Sequence, residues 1–415
     1  MRHASRGVWM RQALRQPLPF VVDVLGLRRN VVVLSLAIFC VGLGEELWAR
    51  FLPKYLEALG ASVLVIGAFG TLQDLFEGLY PYPGGVLADR WGRRRALITF
   101  NGLALVGYGL YLVGPSWPFV FVGLAFAMAW SSLALPATFA LIGDSLPPER
   151  RAMGFTVQSI LKRVPIVLAP PLGGMLIGSL GLVAGVRVGL ALTLILGILS
   201  LLAQHRFYAE VPMAARPAPI ALRHTLQALP AALKRLLLAE SIVRMGQGFA
   251  EIFVVLYVTN VLGLTAATFG ALVSLRMATS ILVYLPVSTL ADRQGRLPFV
   301  VLSFMFYALF PILLAMAQGS VGLVAAFVCA GLRELGEPAR KAMIVDLADA
   351  AQRGRTVGVY YFTRGLVVMP ASLIGGLLWQ LAPQTPFIVA AGVCFLGVVL
   401  MVTGKRSGMA APESI

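Results

Sequence analysis

The sequence is poor in the residues that build metal sites, disulfides and hydrolytic active sites. Of its 415 residues, three are histidine, three are cysteine and 13% carry a charge. The cysteines fall in apolar segments without the spacing of metal ligands, and the histidines fall outside those segments. The sequence has neither a phosphate-binding loop nor a nucleophile elbow. We therefore expect no metal, no cofactor, no coupling to ATP and no enzymatic activity.

Apolar residues, in contrast, are abundant. They make up 59% of the chain, and the mean hydropathy is +0.85. Runs of about 20 apolar residues are typical of membrane-spanning helices. Such segments are predicted at 31–56, 62–88, 96–114, 117–143, 153–179, 183–203, 237–261, 265–291, 297–317, 320–347, 356–381 and 385–403. The sequence thus predicts an all-α integral membrane protein with 12 transmembrane helices.

The net charge of +16 is unevenly placed along the chain. Most lysines and arginines fall before the first apolar segment, in alternate loops and after the last segment. This positive-inside pattern predicts cytoplasmic termini and a plasma membrane, such as a bacterial inner membrane. The positive charge is therefore explained by the lipid bilayer, and we expect no nucleic-acid partner.

These patterns divide the chain into five parts. We predict a basic cytoplasmic N-terminal segment over 1–29, a six-helix bundle over 30–203, a polar cytoplasmic linker over 204–236, a second six-helix bundle over 237–404 and a cytoplasmic tail over 405–415. The fold needs no second subunit to enclose a cavity, so we expect a monomer.

The two predicted bundles repeat one another. The pattern Ala-Asp-Arg-x-Gly-Arg begins at Ala88 and again at Ala291, an offset of 203, and the pair Gly173-Gly174 recurs as Gly375-Gly376 at an offset of 202. Halves with an even number of spans are parallel repeats related by an axis along the membrane normal. We therefore expect two pseudo-symmetric bundles with a substrate site between them, near the middle of the bilayer.

A charged loop between the second and third predicted helices is the most specific motif. It reads Gly85-x-Leu-Ala-Asp89-Arg90-x-Gly92-Arg93, and its shorter copy reads Asp292-Arg293-x-Gly295-Arg296. It resembles the signature of the major facilitator superfamily, a family of secondary transporters. The resemblance implies the 12-helix fold and a cytoplasmic latch in which Asp89 faces the start of the eleventh helix. The residues of this gating motif are Gly85, Asp89, Arg90, Gly92, Arg93, Asp292, Arg293, Gly295 and Arg296. Gly85 is expected to let a neighbouring helix approach closely.

The fifth predicted helix carries Pro170-Pro171-Leu172-Gly173-Gly174. This run is similar to the antiporter motif of the same family, which implies export in exchange for another solute. The match is incomplete, because the upstream glycines are missing. The fourth helix also lacks the arginine of the family's drug antiporters. Simple helix packing is the alternative interpretation.

Charged residues inside the spans must face a cavity or a partner, because a charge at the bilayer centre costs about 2.5–3.5 kcal/mol. Four carboxylates on the first two helices are candidates for carrying protons: Glu45, Glu46, Asp74 and Glu77. Glu46 also has the spacing of an ion pair with Arg50. The candidate substrate-cavity residues are Arg50, Trp48, Trp130, Lys162, Arg163, Glu251, Arg276, Arg333, Glu334, Glu337, Arg340 and Arg364. The alternative is an internally paired network that holds the halves together.

These patterns favour a proton-coupled exporter of a polar or charged small organic molecule. The basic residues Lys162, Arg340 and Arg364 favour a polar or anionic substrate over a lipophilic cation. A multidrug exporter, an importer of a small metabolite and a sensor that binds without transport are the alternatives.

Overall fold

The computed structural model describes residues 29–145, 148–209, 226–227, 229–348 and 353–403. Eleven helices in these ranges are long and apolar enough to cross a membrane, and a pair bent by 42° makes a twelfth. The helices are α1 (Arg29–Ala58), α2 (Val63–Leu79 and Pro81–Trp91), α3 (Arg93–Val113), α4 (Trp117–Thr138), α5 (Pro148–Leu180), α6 (Leu182–Phe207), α7 (Ala231–Val261), α8 (Ala266–Gln294), α9 (Leu297–Ala315), α10 (Gly319–Asp346), α11 (Thr356–Leu381) and α12 (Thr385–Thr403). The predicted all-α fold with 12 membrane helices is confirmed.

The structure corrects the ends of the predicted linker at 204–236. Helix α6 continues to Phe207, and α7 already begins at Ala231, after Pro230. Polar residues misled the prediction here, because Arg235 lies inside α7 and reaches the carbonyl oxygen of Leu400 on α12 at 2.6 Å. A long arginine side chain can thus sit near a helix end while its head finds a partner. The predicted N-terminal segment, except residue 29, the middle of the linker and the tail lie outside the described residues.

The repeat seen in the sequence is reproduced in the local structure. Ser62 caps α2 by accepting a hydrogen bond from the backbone of Val65, and Thr265, 203 residues later, caps α8 by accepting one from Thr268. A side-chain oxygen at this position satisfies an otherwise free N–H of the first turn. Both helices end at a glycine with positive φ, which only glycine adopts readily. The same local chemistry therefore sets the bounds of α2 and α8.

Two pairs of helices join the halves, α2 with α11 and α5 with α8. We call these the α2–α11 seam and the α5–α8 seam. A Cβ atom on Gly67 of α2 would lie 2.7 Å from the carbonyl oxygen of Ser372 on α11, and one on Gly270 of α8 would lie 2.2 Å from that of Pro170 on α5. Backbone contacts this close leave no room for a side chain. The two seams are therefore tight where these glycines lie, and the tight contacts repeat at an offset of 203.

The glycine pair of α5 serves packing in the structure. A Cβ on Gly173 would lie 1.8 Å from the carbonyl oxygen of Leu47 on α1, and one on Gly174 would lie 2.4 Å from that of Ala266 on α8. Gly173 therefore packs α5 inside its own half, whereas Gly174 packs it against the other half. Pro165, Pro170 and Pro171 all lie within this helix.

Four helices lose regular α geometry within their span, close to charged or aromatic candidate residues. Helix α1 breaks after Glu46, α4 has a π-turn at Ala129–Leu133, α7 breaks at Ile252–Phe253, and α10 has a 3₁₀ turn at Arg333–Gly336. Irregular backbone inside a membrane is tolerated where it is buried in protein or lines a water-filled space. These breaks therefore mark the middle of the bundle as the place where polar groups gather.

Candidate functional site

A fully buried carboxylate, Glu240 of α7, lies at the centre of the first charge cluster. Arg364 of α11 lies 2.6 Å from it and Arg340 of α10 lies 3.2 Å from it. Tyr360 donates a hydrogen bond to the same carboxylate at 2.6 Å. Arg244, one turn along α7, approaches it at 3.8 Å. Because an isolated buried charge is costly, these partners are what makes Glu240 tolerable in the bundle. Glu240 was not among the cavity residues predicted from the sequence.

Glu251, near the break in α7, lies at the centre of a second cluster. Arg276 of α8 approaches one carboxylate oxygen at 2.5 Å, and Arg333 of α10 donates to the other at 3.2 and 3.3 Å. Gln247 also donates to Glu251, at 3.4 Å, and accepts from Arg244 at 2.9 Å. This chain of hydrogen bonds connects the second cluster to the first.

Glu337 of α10 is the third carboxylate in the C-terminal half. It pairs with Arg340, with Arg244 at 3.3 Å and with Lys341 at 3.1 Å. Two of the arginines, Arg244 and Arg333, also lie over the ring of Tyr307 at 5.1 and 5.0 Å. The ring face attracts a cation. Tyr307 was not predicted, because an aromatic residue in an apolar helix carries no sequence signal of its own.

The ion pairs that these carboxylates make all lie within the C-terminal half. The basic members of the network are Arg244, Arg276, Arg333, Arg340, Lys341 and Arg364, and the acidic members are Glu240, Glu251, Glu334 and Glu337. The basic residues outnumber the acidic ones, so the C-terminal half presents excess positive charge. The predicted network therefore exists, but its ion pairs among the described residues brace one half rather than joining two.

The N-terminal half holds a smaller polar group around the break in α1. Glu46 and Arg50 form the predicted pair, with their closest atoms 2.8 Å apart. Arg50 also lies within electrostatic range of Glu251 in the opposite half, although the two side chains do not form an ion pair. Glu45 interacts with Lys162 of α5.

The buried Trp48 is fixed by its neighbours rather than free to stack on a ligand. Its indole N–H donates to Thr193 of α6 at 2.9 Å, and its ring packs edge-on against Tyr108 and Tyr111. Trp130, the other tryptophan predicted for the cavity, lies in the π-turn of α4 and is partly exposed.

Asp74 faces α11 along the α2–α11 seam, and Glu77 lies three residues further along α2. Asp74 lines a narrow cleft with Gly78, Phe362, Gly365 and Met369. Asp74 interacts with Glu77 and with Ser372. Within the described chain no lysine or arginine forms an ion pair with either carboxylate.

Arg163 lies on the other seam, between α5 and α8. Its guanidinium donates to Ser280 at 3.5 Å and lies over the ring of Tyr284 at 4.8 Å. It therefore connects the two halves through neutral partners, and neither of these was predicted from the sequence.

The loop motif is held together locally in this structure. Asp89 pairs with Arg93, four residues later, and Arg94 donates to the carbonyl oxygen of His205 at 2.6 Å. In the second copy, Arg296 pairs with Asp346 at the end of α10. The side chain of Asp292, residues 349–352 and the side chains of residues 353–355 lie outside what the structure describes, so the expected contact between Asp89 and the start of α11 stays a prediction.

The structure corrects which glycine of the loop motif lies closest to another helix. A Cβ on Gly85 would lie 3.7 Å from Pro136, an ordinary contact, whereas one on Gly84 would lie 2.0 Å from the carbonyl oxygen of Leu133. Neighbouring residues point about 100° apart around a helix. The motif therefore places Gly84, not Gly85, against α4.

The end of the bundle away from the loop motif is closed across the two halves. Lys54 and Glu57 of α1 both contact Asn260 of α7, and Asn260 donates to Glu57 at 2.8 Å. Phe51 of α1 packs edge-on against Phe269 of α8. We call this the closed end. The repeat could have predicted the contact, because Glu57 and Asn260 are 203 residues apart and so occupy equivalent positions in the two halves.

Comparison with known proteins agrees with this architecture. The sequence matches the profile of the Major Facilitator Superfamily over residues 34–239 and 236–413. It is 22% identical over 382 residues to an uncharacterised MFS-type transporter of Methanocaldococcus jannaschii, covering 90% of this chain and 94% of that one. It is also 28% identical over 156 residues to the quinolone resistance protein NorA of Staphylococcus aureus, covering 36% of this chain and 39% of NorA.

Among solved structures, the nucleoside transporter NupG superposes with a TM-score of 0.75 at 15% sequence identity, covering 90% of this chain and 99% of NupG. A match at this identity shows the fold alone. The match to the family profile covers nearly the whole chain, both halves included, and the proteins of this family are carriers, not enzymes. The chain therefore belongs to the Major Facilitator Superfamily and is a multi-pass membrane transporter.

Proposed function

We propose that the protein is a proton-coupled secondary exporter of a polar or charged small organic molecule. The observation that carries this proposal is the density of charged side chains inside the membrane-spanning helices, next to the irregular turns of α1, α7 and α10. Ionisable residues inside a membrane typically mark the path of a substrate or proton. The surplus of arginine in the C-terminal half supports a substrate with an acidic group.

Alternating access gives the seams and the closed end a role in the cycle. With the basic loops in the cytoplasm, the closed end faces outward, and the structure corresponds to a state that is closed to the outside. For export, the contacts of Glu57 with Asn260 must then part while the halves close at the other end. Rocking of one rigid bundle against the other is a common means of doing this.

The carboxylates of the N-terminal half are the proposed proton carriers. Asp74 has no ion-pair partner in the described chain, and Glu46 has only Arg50. A carboxylate that moves between water and a closed cavity changes its affinity for protons. Asp74 and Glu46 are therefore the two positions at which we expect proton exchange to depend on conformation.

A comparison of cells that lack the protein with cells that express it tests the proposal while the substrate is still unidentified. Small molecules inside and outside the cells are measured by mass spectrometry for the wild type and for Asp74→Asn combined with Glu46→Gln. We expect a compound to move outward with the wild type and at least about tenfold more slowly with the double variant, since proton transfer steps contribute factors of this size or more. Accumulation inside would reverse the direction, and equal export by both proteins would refute the proton assignment.

A multidrug exporter is the second candidate, favoured by the partial match to NorA. That function requires a cavity that accepts lipophilic cations, which the surplus of arginine disfavours. The same mass spectrometry separates the candidates, because a multidrug exporter would move several unrelated lipophilic cations and no acidic compound.

A further inference from the structure

The two seams are equivalent by the internal repeat, but they carry opposite charge. On the α2–α11 seam, Asp74 of α2 lies beside neutral residues of α11, including Phe362 and Gly365, and it interacts with Glu77 of its own helix. On the α5–α8 seam, Arg163 of α5 lies against Ser280 and Tyr284 of α8, and Lys162 precedes it in the chain. We call these the acidic seam and the basic seam.

The internal repeat shows that the opposite charges of the two seams come from different residues at equivalent positions. The positions in α8 that correspond to Asp74 and Glu77, at an offset of 203, are the neutral Met277 and Ser280. Arg163 donates to that same Ser280, so equivalent sites carry an anion on one seam and a cation on the other.

The same holds when the basic positions of α5 are compared with the equivalent positions of α11. The positions there that correspond to Lys162 and Arg163, at an offset of 202, are Arg364 and Gly365. The guanidinium of Arg364 lies 2.6 Å from the buried Glu240, so it is held inside the C-terminal half. The acidic seam therefore has no counter-charge of its own on α11.

The charges on the seams are not neutralised by ion pairs. Asp74, Glu77, Lys162 and Arg163 form no salt bridge with the described residues, whereas Glu240, Glu251 and Glu337 of the C-terminal half are held by arginines. Glu45 interacts with Lys162, which leaves Arg163 as the uncompensated cation of the basic seam. A charge inside a span that lacks a partner must face water or a ligand.

We infer that the substrate is a zwitterion, which bears an ammonium group and an acidic group at separate ends. Its ammonium group faces Asp74 on the acidic seam, and its acidic group faces Arg163 on the basic seam. The inference rests on the proposed transport function, because it assigns the substrate class of the same cavity. A molecule with one sign of charge would gain at one seam and be repelled at the other.

The electrostatic potential at each seam can be tested with charged thiol reagents. This test can be done before the substrate is identified. Gly78→Cys on α2 and Ile281→Cys on α8 are matched positions at an offset of 203. Gly78 is four residues from Asp74, and Ile281 is three residues from Tyr284. Each purified variant is treated with a cationic aminoethyl and an anionic sulfonatoethyl methanethiosulfonate. Rates are normalised to a free thiol in solution, and the wild type measures any reaction of the native cysteines.

We expect at least about tenfold preference for the cationic reagent at Gly78→Cys and for the anionic reagent at Ile281→Cys, since a charged cleft concentrates counter-ions by such factors. Asp74→Asn with Glu77→Gln should remove the first preference, and Arg163→Gln the second. The same preference at both positions, or preferences that survive neutralisation, would overturn the inference. Gly365→Cys replaces Gly78→Cys if that variant does not fold, because its Cβ would lie 3.8 Å from Gly78.

The exported compound then tests the substrate class. If the mass spectrometry finds a compound with both an ammonium and an acidic group, the inference holds. If the exported compound carries charge of only one sign, the proposed function stands and the inference fails. If no compound is exported, the proposed function fails, and the thiol reagents still decide whether the seams carry opposite fields.

Discussion

Replacing Gly173 with alanine is expected to abolish most of the folded protein. The new methyl group would lie 1.8 Å from the carbonyl oxygen of Leu47, and neither backbone can rotate away as a side chain could. Overpacking in a well-packed core commonly costs about 1–3 kcal/mol, and a clash between two backbones lies at or above the upper end. The measurement is thermal unfolding of the detergent-solubilised protein, followed by size-exclusion chromatography.

The same helix offers a matched control. A methyl group on Gly178 meets nothing within 4 Å, so Gly178→Ala should fold as well as the wild type or slightly better. Gly174→Ala should behave differently from both, because that glycine contacts Ala266 in the other half. Its clash should open the closed end and shift the balance of conformations while leaving each half folded. Equal melting temperatures for Gly173→Ala and Gly178→Ala would show that α1 and α5 are not packed as described.

The second large effect is expected at Glu240. Glu240→Gln keeps the shape of the side chain but removes the charge that Arg340 and Arg364 face. Breaking a buried ion pair by removing one partner typically costs about 3–5 kcal/mol, because the remaining charge is left uncompensated. We therefore expect a lower melting temperature and a low yield of monodisperse protein.

Lys341→Gln is the matched control for this prediction. Lys341 belongs to the same network through Glu337, but its side chain is 56% exposed. Exposed pairs contribute about 0–1 kcal/mol, so its loss should leave the melting temperature nearly unchanged. If the two variants unfold at the same temperature, Glu240 does not hold the C-terminal half together.

The sequence predicted the features that depend on local pattern and on the repeat. Twelve apolar segments, the loop motif and the offset of 203 are enough to predict two similar bundles. The paired caps Ser62 and Thr265 confirm that both halves use the same local chemistry. The contact between Glu57 and Asn260 could also have been predicted from the repeat, because equivalent positions of two parallel repeats can meet at the axis between them.

The partners of the charged side chains could not be predicted in the same way. Glu240 pairs with Arg364, which is 124 residues away, and nothing in either helix specifies the rotation that brings them together. The same rotation decides whether Gly84 or Gly85 faces α4, and the sequence motif favoured the wrong one. The sequence pattern therefore predicts where a helix lies in the chain. The direction of its side chains is determined by packing, which the pattern does not predict.

Transport by alternating access requires the two halves to part at the closed end during each cycle. A reversible crosslink across that end tests this requirement most directly. Glu57→Cys combined with Asn260→Cys places a thiol on each half at positions whose native side chains are in contact. A short disulfide-containing crosslinker joins the thiols, and a reductant releases them. Each single variant, treated in the same way, controls for modification without crosslinking.

Export of the compound identified by mass spectrometry is then measured before crosslinking, after crosslinking and after reduction. We predict that the crosslink stops export, that reduction restores it, and that the single variants export throughout. Export at an undiminished rate by the fully crosslinked protein would contradict alternating access through the closed end.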